Sequence, residues 1–521
     1  MIQHPVISFL ENEFWWGGRN ADGVDMPFTP ASRHRVDLST NLRENQGAPL
    51  LLSSKGRYVW SDRPFTYEFR DGKIHISGSM SPITLSEGHG DLRGAFRAAA
   101  ARHFPASGKM PPELFFSAPH ANTWIDMQHT QTQAGVLRYA RGLVEGGYPP
   151  GVLMIDAGWA EYWGSFKFHA GRFTDPAVMT RELHALGFKV MLWVSPFIAP
   201  DGMEFRRWRG QPGWFLRDRQ GAPAVLPWWD GHSVHLDLTH PEAMDWFKAG
   251  LRSLQNDYGI DGFKFDAGDT LHYLNRPASW QNAEPVDLTE AWAQLSLDFP
   301  YSEFRACWKM GGQPVVQRLH DRAPNWTTAG ILSLIPNSIA QGLIGHAFTC
   351  PDLIGGGDYL CFTDPAYRLD EELFVRFCQC SALMPMMQFS AAPWRVLTPR
   401  SNALCKAAVE LHAKFAPKIL ELARQSTKSN EPILRSMEYV FPGQGYEAVT
   451  DQFLLGGELL VAPVITRGAT TRRVTLPLGR WRADDGRTYE GPALIEVPAP
   501  LERLPYFLRD PQSSAPAGMQ R

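Results

Sequence analysis

The chain has 521 residues, of which 44% are hydrophobic and 20% are charged, so it can bury a large core. A chain of this length is expected to form about two to four domains. Its 51 basic and 54 acidic residues give a formal net charge of -3 without a long run of one sign, which argues against nucleic acid or an anionic membrane as a partner. The ligand is therefore expected to be neutral or weakly charged.

The N-terminus has neither the basic segment nor the apolar run of a signal peptide, and nowhere do about 18 apolar residues follow one another. We therefore expect a cytoplasmic protein, unless a leader is removed before this sequence begins. The six cysteines fall between residues 307 and 405, mostly in apolar contexts, and are expected to be reduced. Cys378 and Cys380 have neither zinc-finger nor thioredoxin spacing, so the sequence predicts no metal and no cofactor.

Residues 1–112 have the sequence pattern of a β-sandwich. Short runs of β-forming residues at 57–60, 65–69 and 73–77 are separated by Gly, Pro and Asp-Gly turns. The pattern predicts an N-terminal β-sandwich domain.

Residues 113–415 alternate between apolar, strand-like runs and helical stretches. No Gly-rich dinucleotide loop follows the first strand, so the pattern favours an α/β fold of the (β/α)8 TIM-barrel type over an open sheet. Loop insertions are expected near 200–240 and 267–300. The runs that are typical of barrel strands lie at 151–156, 188–194, 259–266 and 344–348.

After residue 416 the sequence again shows short β-forming runs separated by turns. Runs at 453–456, 458–464 and 473–477 again have the length and composition of short strands. A second β-sandwich is therefore predicted over 416–521, so that β-sandwich domains flank the barrel on both sides.

Polar residues at the ends of apolar runs are the candidates for chemistry, because a TIM barrel carries its active site at the C-terminal ends of its strands. Asp156, Asp266 and Asp352 stand at such positions, and Arg305 lies in a similar one. Lys264 is two residues before Asp266 and projects from the same side of the strand, which indicates either chemistry or a structural ion pair. Many carboxylates without a Ser-His-Asp arrangement or a phosphate loop point toward glycosidic chemistry, which needs two carboxyl groups.

The order of motifs resembles glycoside hydrolase family 31 along nearly the whole chain. The sequence at 155–159 is similar to the second barrel strand of the family, and the sequence at 183–189 is similar to the helix before the third strand. The sequence Phe-Lys-Phe-Asp-Ala-Gly-Asp at 263–269 resembles the strand that carries the family's nucleophile. Residues 317–326 are similar to its acid/base segment. Lys264 and the stretches 351–356 and 384–390 resemble one branch of that family.

The resemblance implies that Asp266 is the nucleophile and Asp321 the general acid/base. Asp352 is a rival for the second role, but it matches a different strand of the family, Asp-Ile-Gly-Gly. Where the family commonly spells Gly-Asp-Asn, this chain has His, Asp and Arg at 320–322. Asp126 lies in a Trp-Ile-Asp-Met sequence that spells the nucleophile motif of many members, but it occurs too early in the chain and is interpreted as structural or peripheral.

Further residues are candidates for binding the sugar. Asp156 is suited to accept hydrogen bonds from hydroxyls and Arg305 to donate them, although a helix cap and a structural ion pair are the respective alternatives. Five tryptophans are candidate pocket walls, each of them otherwise a core residue, namely Trp159, Trp193, Trp228, Trp229 and Trp326. Trp159 and Trp193 are favoured because they follow or end strands. Trp16 belongs to a stretch that resembles the family's N-terminal loop at the barrel mouth, or else to a sandwich edge. The complete predicted substrate-binding set is Asp156, Trp159, Trp193, Lys264, Arg305, Asp352, Gln388, Ser390 and Trp16.

The expected function is that of a retaining, exo-acting α-glycosidase that removes a terminal non-reducing sugar from a small oligosaccharide or glycoside. An α-galactoside is favoured, because Lys264 stands where common α-glucosidases of the family carry Trp. The alternatives are an α-glucosidase, an α-xylosidase or a catalytically silent sugar-binding or regulatory homologue. An aldolase with Lys264 as a Schiff-base lysine is a further alternative. A homo-oligomer is left open.

Overall fold

The computed structural model describes residues 5–40 and 42–510. Its N-terminal region consists of two antiparallel sheets, one with strand order β1-β7-β6-β3 and one in which β4 pairs with both β2 and β5, and β5 with β8. The predicted runs at 57–60, 65–69 and 73–77 are strands, which confirms this part of the expectation. The elements are β1 Val6–Ser8, β2 Trp15–Arg19, β3 His34–Asp37, β4 Gln46–Ser53, β5 Tyr58–Trp60, β6 Thr66–Arg70, β7 Lys73–Ser77, β8 Thr84–Ser86 and helix α1 Leu92–His103.

Eight parallel strands form the predicted barrel, in the order β19-β18-β16-β15-β11-β10-β9-β20. The Ile354 N–H donates to the Gln388 carbonyl at 2.8 Å and brings the two ends of this sheet together. The strands of this region are β9 His120–Asn122, β10 Val152–Ile155, β11 Lys189–Val194, β12 Phe197–Ile198, β13 Val225–Trp228, β14 Gly231–His235, β15 Gly262–Phe265, β16 Tyr301–Phe304, β17 Cys307–Trp308, β18 Val316–Arg318, β19 Thr349–Cys350 and β20 Gln388–Phe389.

Helices connect these strands, as the alternating pattern predicts. Strands β12, β14 and β13 form a separate small sheet within the insertion after β11. The helices are α2 Leu114–Ser117, α3 Trp124–Met127, α4 Gln133–Glu145, α5 Pro176–Ala185, α6 Met203–Trp208, α7 Pro241–Tyr258, α8 Pro285–Leu295, α9 Leu334–Leu343, α10 Tyr359–Thr363, α11 Glu371–Ala382, α12 Pro393–Val396 and α13 Pro399–Ser429.

One predicted strand is wrong. The apolar run at 344–348 is not a strand but the C-cap of α9 and the loop after it, and the barrel strand β19 begins only at Thr349. Ile344 N–H still donates to the Ala340 carbonyl, and Gly345 then turns the chain at a φ of +97°. Residues 344–348 are all buried, so this loop has the composition of a buried strand.

The C-terminal region is a six-stranded antiparallel sheet of order β21-β22-β23-β26-β24-β25. Its elements are β21 Leu434–Arg435, α14 Met437–Val440, β22 Phe453–Leu455, β23 Leu459–Val461, β24 Thr471–Ala483, β25 Thr488–Pro498 and β26 Tyr506–Arg509. Helix α13 runs without interruption across 415 and 416, where the sequence texture changes, and β17 of the barrel region pairs with β4 of the N-terminal sheet. The domain limits therefore remain a prediction. Over the described ranges, every helix is too short or too polar to span a bilayer.

Candidate active site

Most of the predicted strand-end residues line one pocket of about 250 Å³ at the barrel mouth. Asp156 follows β10, Asp266 follows β15 and Arg305 follows β16, and Asp321 comes three residues after β18. Parallel strands end at the same rim, so these side chains converge. The pocket is lined by Glu44, Trp124, Asp156, Ala157, Trp193, Trp229, Lys264, Asp266, Arg305, His320, Asp321, Asp358, Tyr359 and Leu360.

Asp266 is held by donors on both carboxylate oxygens. Trp193 Nε1 donates to Oδ2 at 2.8 Å, and Arg305 donates to Oδ1 from Nε at 3.0 Å and from Nη2 at 2.8 Å. Burial acts to raise the pKa of Asp266, but the charges of Arg305 and Lys264 outweigh it and hold the pKa well below its usual range. Asp266 is therefore an ionised carboxylate whose orientation is fixed.

Lys264 and Asp156 form a buried ion pair at the floor of the pocket. Lys264 Nζ donates to Asp156 Oδ2 at 2.7 Å, and the two side chains are only 5% and 3% exposed. Burial acts to lower the pKa of Lys264, but the Asp156 carboxylate raises it above its usual value, so Lys264 is an ammonium. The Asp156 carboxylate also accepts from the Ala157 N–H at 2.8 Å, and α5, the next helix after it, begins only at Pro176, so Asp156 is not a helix cap.

Asp321 and Asp352 share one cation. Arg318 Nη1 lies 2.7 Å from Asp321 Oδ1 and 2.6 Å from Asp352 Oδ1. Burial raises the pKa of Asp352 to about 6, whereas Arg318 and Arg305 overcome the burial of Asp321 and lower its pKa to about 2. Asp352 is fully buried behind the pocket and also accepts from the Arg322 N–H at 2.6 Å, so only Asp321 lies on the wall.

Four other predicted residues do not line the pocket. Trp159 lies behind it and donates from Nε1 to the Trp193 carbonyl at 2.7 Å, so it supports a wall residue. Gln388 is buried and donates to Glu303 Oε2 at 2.8 Å, and Ser390 Oγ accepts from the Ile125 N–H at 2.7 Å. Trp16 is buried in β2 of the N-terminal sheet.

The early Trp-Ile-Asp-Met motif behaves as the sequence interpretation proposed. Asp126 receives hydrogen bonds from Arg395, one of them from Nε at 3.1 Å, and from the Ala392 N–H at 3.3 Å. Asp126 lies outside the pocket, although Trp124 of the same motif lines it.

Several lining residues are absent from the predicted set. Glu44 comes from the loop before β4 of the N-terminal region, and Asp358 and Tyr359 come from the start of α10. Trp229 lies at the turn between β13 and β14, and the Arg305 guanidinium carbon is 5.1 Å from the centre of its ring. A signal for Trp229 exists in the aromatic residues before the Asp-Gly turn at 230–231, but the sequence around Glu44 carries none.

Two groups of side chains in the described ranges could hold a metal ion, and neither lies in the pocket. His120, Glu303 and Cys350 meet inside the barrel, and Asp22, Asp25 and His34 meet in the N-terminal region, in each case with ligand atoms within 4.8 Å of one another. A cation already neighbours Glu303, since Arg318 Nε is 3.4 Å from its Oε1. The expectation of no metal remains a prediction.

Comparison with known protein families agrees with the geometry. Residues 109–310 match the TIM-barrel domain of glycosyl hydrolases family 31, and residues 430–512 match the C-terminal domain of that family. The chain belongs to glycoside hydrolase family 31. The barrel and the flanking antiparallel sheet domains are those of family 31, which confirms the predicted fold class.

A curated relative indicates the branch of family 31. The chain is 32% identical over 430 residues to the myogenesis-regulating glycosidase of Mus musculus. The aligned region covers 80% of this chain and 60% of that protein. This is the branch that Lys264 and the stretches 351–356 and 384–390 resemble.

Solved family 31 structures share the fold. The Flavobacterium johnsoniae dextranase complexed with glucose superposes with a TM-score of 0.82 at 19% identity, covering 97% of this chain and 66% of the dextranase. An α-xylosidase from a soil metagenome complexed with xylose gives a TM-score of 0.81 at 19% identity, covering 98% of this chain and 79% of the xylosidase.

Proposed function

We propose that the protein is a retaining, exo-acting α-glycosidase with Asp266 as nucleophile and Asp321 as general acid/base. The observation that carries this proposal is the placing of both carboxylates on the wall of one pocket, with Asp266 held ionised by Arg305 and Trp193. Two carboxyl groups across one sugar are what a double displacement at an anomeric carbon requires.

In the first step Asp266 attacks C1 of the sugar, and Asp321 gives a proton to the oxygen that leaves. In the second step Asp321 takes a proton from water, and the water attacks C1 and releases Asp266. The low pKa of Asp321 belongs to the open pocket, where Arg318 and Arg305 stabilise its anion. A bound sugar displaces the water around Asp321, which is 28% exposed, and this desolvation raises the pKa toward the protonated form that the first step needs.

The floor of the pocket supports an α-galactoside as substrate. Asp156 offers carboxylate oxygens and Lys264 a fixed ammonium to the ring hydroxyls that reach the floor. A cation in place of an aromatic wall adds a donor that favours an axial O4 over an equatorial one. An α-glucoside and an α-xyloside are the alternative substrates, and the two structures compared above were solved with glucose and with xylose.

The contacts of Lys264 speak against an aldolase. A Schiff-base lysine has to be deprotonated, whereas the pKa of Lys264 is raised by its ion pair with Asp156. A silent sugar-binding protein would lack one of the two carboxylates, and both Asp266 and Asp321 are present on the wall.

Hydrolysis of 4-nitrophenyl α-galactoside, α-glucoside and α-xyloside by the wild type and by Asp266→Asn tests this function. We expect one strong activity in the wild type and its loss by several orders of magnitude in Asp266→Asn. Asp126→Asn is the matched control, because it removes a carboxylate from a similar motif outside the pocket and should keep most of the activity. Equal activity of the wild type and Asp266→Asn would refute the assignment.

A further inference from the structure

The loop before β4 brings Glu44, a carboxylate of the N-terminal region, to the barrel mouth. Three consecutive residues fasten this loop to the barrel. Asn45 Oδ1 accepts from the His320 N–H at 2.9 Å, and Gln46 Nε2 donates to the carbonyl oxygen of Arg318 at 2.8 Å. Glu44 itself has a φ of +51°, a strained conformation for a residue with a side chain, which the surrounding contacts must hold in place.

Glu44 forms a pair with His320, the residue directly before the proposed acid/base. His320 Nε2 lies 2.5 Å from Glu44 Oε2, and His320 Nδ1 lies 2.9 Å from the Asp321 carbonyl oxygen. Both ring nitrogens thus face oxygen atoms, which fixes the orientation of the ring. Arg305 Nη1 adds a cation 3.4 Å from Glu44 Oε2.

The pocket has a floor of nearly buried side chains and a rim of partly exposed ones. Asp156, Lys264 and Arg305 are 3% to 5% exposed, whereas Glu44, Asp321 and His320 are 25% to 31% exposed. The sugar that is cut off is expected on the floor. The group that leaves must lie next to Asp321, which protonates its oxygen, and therefore next to Glu44 and His320.

We propose that Glu44 and His320 form the leaving-group subsite and select a neutral leaving group that carries hydroxyls over an anionic one. This inference rests on the proposed glycosidase function. Among the described residues, hydrogen-bond donors reach only Oε2 of Glu44, which leaves Oε1 to accept a hydroxyl of the leaving group. The same charge repels a carboxylate or phosphate at this position.

Glu44 is ionised at the pH of an assay. Burial acts to raise the pKa of Glu44, but Arg305 and His320 outweigh it and lower the pKa to about 2. Replacing Glu44 by Gln removes the repulsion and at the same time leaves Arg305 with Asp266 as its remaining carboxylate partner. Both effects favour an anionic leaving group in Glu44→Gln.

Two aryl α-glycosides of the sugar that the wild type hydrolyses test the subsite. One carries a 4-carboxyphenyl leaving group and the other its neutral counterpart, 4-carbamoylphenyl. We expect the wild type to prefer the neutral substrate in kcat/KM by on the order of tenfold, as a like charge at close range would cause, and Glu44→Gln to reduce that preference to less than about threefold. The ratio of the two substrates is independent of the fraction of enzyme that is folded.

Glu87→Gln is the matched control. It makes the same charge change on a carboxylate of the N-terminal region that is paired with Arg57 at 3.2 Å, outside the pocket, and should leave the ratio as in the wild type. The same ratio in Glu44→Gln and the wild type would overturn the inference. Hydrolysis of none of the 4-nitrophenyl α-glycosides by the wild type would show instead that the proposed function has failed, and the inference with it.

Discussion

Replacing Lys264 by Met is expected to lower the free energy of unfolding by about 3 to 5 kcal/mol, the range measured when one partner of a buried ion pair is removed. The pair with Asp156 has a length of 2.7 Å and both side chains are nearly excluded from water. Met retains most of the volume of the lysine stem, so a cavity contributes little to the loss. The remaining cost comes from Asp156, which stays buried without its cation.

Urea denaturation followed by tryptophan fluorescence measures this change. The double variant Lys264→Met with Asp156→Asn should lose less than the sum of the two single variants, with a coupling energy of at least about 1.5 kcal/mol. Lys189→Met is the control, because its 2.9 Å pair with Asp261 lies on the surface with Lys189 44% exposed, and should cost at most about 1 kcal/mol. A loss at Lys264→Met no larger than at Lys189→Met, together with additive single variants, would refute the reasoning.

Trp193→Phe keeps a ring on the pocket wall but removes the hydrogen-bond donor to Asp266. We expect kcat/KM to fall about 10- to 100-fold, which corresponds to the loss of one hydrogen bond to a charged group. An unchanged kcat/KM would contradict the role of that hydrogen bond. Because the pKa of Asp321 is lowered to about 2, its protonated fraction falls about tenfold per pH unit above that value, and kcat/KM for a glycoside with a poor leaving group should fall with the same slope. An aryl glycoside whose phenol leaves without protonation should show no such slope, and equal slopes would count against Asp321 as the acid. Arg376→Met removes a buried guanidinium on α11 that donates to carbonyls of the C-terminal region, including that of Ala499 at 2.8 Å. The variant should have a thermal unfolding midpoint lower by several degrees and an unchanged kcat. An unchanged midpoint would contradict the role of Arg376 in holding the C-terminal region against α11.

The strand ends could be located from the sequence because their signal is local. The run before Asp156 is apolar on both faces, as a parallel strand covered by helices must be, and the run before Asp266 is apolar except for Lys264; each stops at a charged residue. The same local pattern misplaced the run at 344–348, since the buried loop after α9 has the same composition as a buried strand.

The rest of the site depends on contacts between distant parts of the chain. Glu44 reaches the pocket only because its loop is fastened to Arg318 and His320, more than 270 positions away. Gln388 and Ser390 belong to a stretch with family spelling, but the two-residue strand β20 directs the Gln388 side chain to Glu303 inside the barrel. Sequence spacing contains no information on either arrangement.

Trapping the glycosyl-enzyme tests the central claim most directly. The protein would be incubated with 5-fluoro-α-glycosyl fluorides of galactose, glucose and xylose, which form the covalent intermediate faster than they release it. Peptide mass spectrometry of the inactivated enzyme should then locate one sugar on Asp266. A label on another carboxylate such as Asp321 or Asp352, or turnover of natural glycosides with inversion and without any label, would contradict the assignment.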